Sequence, residues 1–216
     1  MNTILLAWTL FAVELPPEVE AATAEVEALG LPEGILDEKA AEGVAKGLPP
    51  ARVAAALTGM GDSLLQAQEL THSDDPNTLR AGAAALQAGA APESVASLAS
   101  ANALWALGDL VRQGHEQNDA LDLVEAAEAA GSDALTGLAS ASATMLANGQ
   151  GHSAVANHLQ LALGTGVSPL AAATNPGLVD IATASNAKNK DKKEKSNKGK
   201  GKGPGNGNGN GNGNGD

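Results

Sequence analysis

Leucine, valine and methionine recur at three- and four-residue intervals through most of the chain. Val53, Leu57, Met60 and Leu64 fall on one helical face. So do Leu121 and Val124, then Leu135, Leu138 and Met145, then Val155, Leu159 and Leu163. This is the period of helices with one buried stripe, not the alternation of strands. Gly, Pro and small polar residues interrupt it in a recurring way, at Gly30-Leu31-Pro32, Gly47-Leu48-Pro49-Pro50, Gly89-Ala90-Ala91-Pro92, Gly131-Ser132-Asp133 and Gly166-Val167-Ser168-Pro169. A glycine suits a helix end that needs positive φ, and a proline soon after suits the first turn of the next helix. Ser168 and Asp133 are expected N-caps. Gly47, Gly89 and Gly131 are spaced 42 residues apart, and Gly166 follows at 35. That spacing suits a two-helix repeat, although the copies share little beyond glycine, proline and apolar positions. The predicted fold is all-α: short antiparallel helices stacked as helical hairpins, in the manner of a small α-solenoid.

Composition narrows the picture. Aromatic residues make up 1% of the chain, namely Trp8, Trp105 and Phe11. A core without rings must be built from Leu, Val and Ala, so helices have to approach closely and each contact contributes little. Alanine is the best helix former, and the composition argues against a β-sandwich. Trp105, among Leu104, Leu107 and Leu110, reads first as a core or hairpin-contact residue and second as a ligand-stacking one.

The two ends differ from the body. Ile4–Val13 is a ten-residue uncharged apolar run, too short to span a bilayer as an ordinary helix. Its length and the Ala22-Thr23-Ala24 pattern match a signal peptide over residues 1–24, with export to the periplasm or beyond; no cation precedes the run. The competing reading is a buried first helix ended by Pro16-Pro17 in a cytoplasmic protein. Residues 25–185 form the helical domain. Residues 186–216 have no apolar residue after Ala187 and end in a Gly-Asn repeat, so a disordered tail is expected.

Charge divides along the same boundary. Residues 1–187 carry five cations (Lys39, Lys46, Arg52, Arg80, Arg112) against 22 acidic residues, a net −17, whereas residues 188–216 carry eight lysines and a net +5. An acidic body repels nucleic acid, so no specific nucleic-acid binding is expected. The lysine block favours a protein or an anionic envelope polymer as partner. The absence of cysteine excludes disulfides, thiolate metal sites and thiol catalysis.

Candidate chemistry is sparse. His72, His115 and His152 each precede a new helix and have acidic or polar neighbours. Aligned loops would bring imidazoles and carboxylates together as ligands for a divalent transition metal. Polar residues at helix ends are otherwise caps in contact with water. Gly164-Thr165-Gly166 lacks the third glycine of a dinucleotide loop, and neither a phosphate loop nor a nucleophile elbow occurs. No cofactor is implied. The expected function is a non-enzymatic helical interaction or scaffold protein with a flexible tether; the alternative is a metal- or small-ligand-binding protein using the loop histidines.

Overall fold

The computed structural model describes residues 14–183. The apolar run Ile4–Val13 and the tail from residue 186 lie outside the described residues, and with them the readings of a leader and a disordered tail. Within that range the chain is all-α, and no described residue is in a strand. The helices are α1 (Pro17–Glu27), α2 (Asp37–Ala45), α3 (Pro50–Thr71), α4 (Pro76–Gln87), α5 (Pro92–Ser97), α6 (Ala101–Arg112), α7 (Gln117–Ala130), α8 (Ser132–Ala147), α9 (His152–Thr165) and α10 (Pro169–Thr174), followed by α11 over 177–183.

Local chemistry explains most boundaries. Pro17, Pro50, Pro76, Pro92 and Pro169 each open a helix, where the missing N–H costs nothing. Ser168 caps α10 as expected, by accepting from the Ala171 N–H. Asp133 does not cap; it lies in the first turn of α8, whose N-cap is Gly131. Two caps escaped the sequence pattern: Asp75 accepts from the Thr78 N–H at 2.8 Å, and Ser100 from the Ala103 N–H at 3.2 Å. Ser100 restarts the helix after buried Leu98, whose extended backbone separates α5 from α6.

The left-handed positions have a regular register. Gly30, His72, Gly114 and Gly149 have positive φ, and so do Gly47, Gly89, Gly131 and Gly166, each 17 residues further on. The first set lies between the two helices of a hairpin, and the second ends the second helix. At Gly47, Gly89, Gly114, Gly149 and Gly166 the next residue's N–H bonds back five residues, closing the left-handed helix end. Gly131 differs. With φ 114° and ψ 170° it joins α7 directly to α8.

Packing follows chain order. The hairpins α1–α2, α3–α4, α6–α7 and α8–α9 each pack internally, and successive hairpins meet through α1–α3, α4–α6, α6–α8 and α7–α9. α4 is buried on two sides. Leu79 and Ala83 join a core formed by α1–α3 and the loop residues Leu31, Ile35 and Leu36. Ala81 and Ala85 join a second core that runs through α6–α9. Only small side chains fit there, which is why α4 reads TLRAGAAALQ. Glycine permits the same closeness elsewhere: a Cβ on Gly61 would sit 2.7 Å from Val26 Cγ1, and one on Gly108 3.1 Å from the Ala85 Cα.

One further expectation is corrected. The buried stripe of α7 is Ala120, Leu123, Val124 and Ala127, with Leu121 only half-buried. α1 runs through Ala22-Thr23-Ala24, and Val19, Ala22, Thr23 and Val26 are buried. Among the described residues, Leu15 and the part of α1 before residue 25 also pack on the first core. Among the described residues no helix is long and apolar enough to cross a membrane.

Candidate functional site

The structure separates the three predicted histidines. His72 is exposed and ends α3 in the left-handed region (φ 51°), the one described non-glycine residue there. His115 and His152 meet, with ring centroids 5.2 Å apart and planes at 87°. Among the described residues no group of three His, Asp or Glu side chains is placed to hold a metal ion.

His115 is not a solvated loop residue; it is 4% exposed and belongs to a polar chain. The Gln113 amide N–H donates to the Ala139 carbonyl at 3.1 Å, which fixes the amide orientation. The Ser142 hydroxyl then donates to Gln113 Oε1 at 2.6 Å. With that proton committed, His115 Nε2–H must donate to Ser142 Oγ at 2.7 Å. The His115 Nδ1 lone pair is left buried without a partner. His152 Nε2 lies 3.0 Å from the Gln113 carbonyl and donates to it. Burial, then the neighbouring His152, pushes the His115 pKa below its ordinary value, while Asp119 acts in the opposite direction. The chain joins the α6–α7 loop to α8 and α9. Ser142 is fully buried, so its pairing with imidazole is closed to substrate.

The open surface chemistry lies elsewhere. A groove of about 400 Å³ is lined by Ile35, Met60, Leu64, Arg80 and Trp105, among others, from the α1–α2 loop, α3, α4 and α6. A second, of about 240 Å³, adjoins it through Lys39 and Met60 and is lined also by Lys46, Leu48 and Arg52. Trp105 is 44% exposed and forms part of the wall, so it lies outside the core and at the edge between hairpins. Four of the five cations in residues 1–187 border these two depressions.

The four cations are held in three ways. Glu42 accepts from Lys39 at 2.7 Å and from Lys46 at 2.5 Å, and the two ammonium groups draw its carboxyl down to about 2. Arg80 donates to the Ile35 and Gly34 carbonyls, pinning the α1–α2 loop to α4 without neutralising its charge. Arg52 is exposed, and no described carboxylate forms an ion pair with it.

No family model, curated protein or solved structure matches the chain. The site is therefore read from its own chemistry. Sequence periodicity missed the groove because its cations, at 39, 46, 52 and 80, lie on α2 and its C-terminal cap, α3 and α4, which only the tertiary fold brings together. The available signal was the clustering of four of five body cations in one 42-residue interval.

Proposed function

We propose that this chain is a non-enzymatic helical-repeat scaffold that binds partner proteins along its stacked hairpins, with the lysine-rich residues 186–216 as a tether. The observation that carries the reading is the register of left-handed positions. Four pairs, each 17 residues apart, recur at intervals of 42, 42 and 35. Each pair brackets the second helix of one unit: α2, α4, α7 or α9. The last unit opens with the single helix α8, where its predecessor has α5 and α6 in succession. Packing supports the same reading, because helices contact their own hairpin and adjoining ones, the quasi-one-dimensional pattern of solenoids. Such a stack presents an extended surface suited to polypeptide partners.

The test is recovery of partners from the native host with the full chain and with a chain ending at Ala187. Reproducible protein partners support the scaffold, and their loss on truncation supports the tether. Recovery of the chain alone under mild cross-linking overturns both. Export through Ile4–Val13 is part of the proposal, supported by the length of the run. Intact mass of the native protein tests it, since a retained Met1 would overturn export with cleavage.

A further inference from the structure

We propose that the groove bordered by α2, α3, α4 and α6 docks an acidic amphipathic helix of a partner protein, an inference that rests on the scaffold reading above. The first argument is charge placement. Residues 1–187 are net −17, yet four of their five cations border one track. Against Lys39, Lys46, Arg52 and Arg80 the lining supplies only Glu38 and Glu42. Lys39 and Lys46 share the single Glu42 carboxylate, and Arg52 has no ion-pair partner among the described residues. The track is thus locally positive on an otherwise negative surface, and it attracts carboxylates.

The second argument is the floor. Met60 sits where the two depressions join, with Ile35 and Leu64 beside it and Trp105 half-exposed on the wall. A thioether adapts to irregular apolar shapes, and an accessible tryptophan bordered by arginine is the type of residue that dominates binding energy. Two adjoining depressions accept a row of side chains at helical spacing, which is how an amphipathic helix occupies a groove.

The same features disfavour other occupants. A nucleic acid or an anionic bilayer presents many charges and is repelled by the acidic remainder of the body. A short helix carries its few carboxylates only where the cations are. The chain's own apolar run Ile4–Val13 has no carboxylate to offer them.

The experiment uses the full chain and fluorescein-labelled synthetic peptides read by anisotropy. One peptide has leucine at i, i+3, i+4 and i+7 with glutamate elsewhere; a second has lysine in place of glutamate; a third is polyglutamate. Phosphatidylglycerol vesicles form a fourth arm. The Leu/Glu peptide is expected to bind, and to weaken by about tenfold or more in Arg52→Glu and in Trp105→Ala, the usual range for central interface residues. Both residues are exposed, so the variants should fold, and circular dichroism checks this. In Trp8→Phe protein, bound Leu/Glu peptide should shift Trp105 emission to the blue. No binding of the Leu/Glu peptide, equal or tighter binding of the Leu/Lys peptide, equal binding of polyglutamate or vesicles, or indifference to both substitutions would overturn the proposal. Partners that still co-purify with the Arg52→Glu/Trp105→Ala protein would leave the scaffold standing while removing the groove.

Discussion

At the scale of single residues, two histidines occupy positions with opposite demands. His72 holds the left-handed turn that glycine holds at Gly30, Gly114 and Gly149. A Cβ in that region costs about 1 kcal/mol, less the entropy glycine loses on folding. His72→Gly is therefore expected to raise stability by up to ~1 kcal/mol, read as a higher urea midpoint at unchanged slope. An unchanged or lower midpoint would mean that the side chain contributes contacts outweighing the strain. His115 is the buried case. Its folded pKa is lowered from the ordinary value of 6.5, so the unfolded chain binds more protons below that pH. The favourable neutral state is fully populated above 6.5, and stability is lost as pH falls from there toward the folded pKa. Protonation would place a charge and an unsatisfied Nδ1–H in the core beside His152 and Ser142. Comparing His115→Leu with the parent from pH 7.5 to 5 should show a flatter decline for the variant. Parallel curves would assign the acid sensitivity to other groups.

At the scale of elements, turn chemistry was legible in the sequence because it is local. Gly47, Gly89 and Gly166 take positive φ, and Pro50, Pro92 and Pro169 open helices, where the pattern placed them. Orientation was less legible where alanine dominates, since a helix of small apolar residues has a weak stripe. Hence Leu123 and not Leu121 leads the buried face of α7, and Trp105 turns outward although leucines surround it. The joining of His115 to Ser142 and Gln113 was not legible, because the contact runs from the α6–α7 loop to α8 and depends on how those elements pack. α1 offers an element-scale test of the N-terminal boundary. A chain beginning at Glu25 lacks Val19 and Ala22, whose side chains fill the core beside α3. Loss of a buried valine and its neighbours is expected to cost about 2 kcal/mol or more, by the apolar area exposed. A chain beginning at Glu14 should melt above one beginning at Glu25. Equal melting of the Glu14 and Glu25 chains would show that α1 adds nothing to the fold.

At the scale of the whole molecule, the architecture makes stability a sum of neighbouring interfaces. The two large cores meet at α4, whose opposite sides carry Leu79 and Ala83 toward one and Ala81 and Ala85 toward the other, and at the end of α3, where Leu70 packs on the second core. A defect in one core is therefore transmitted to the other through a helix with small side chains and little buried area per contact. Leu57, 2% exposed in the first core, and Leu138, fully buried in the second, are matched probes. Either Leu→Ala change should remove about 2–5 kcal/mol from its own region, the usual cost of deleting a buried leucine. In a stack of nearest-neighbour units the loss should stay local. Amide exchange in Leu57→Ala is expected to accelerate across α1–α4 and much less in α7–α9, whereas Leu138→Ala should give the reverse. The α4 amides should respond to both substitutions, since that helix belongs to both cores. Uniform acceleration along the chain for either variant would show a single cooperative unit and would remove the structural basis for reading this protein as a repeat scaffold.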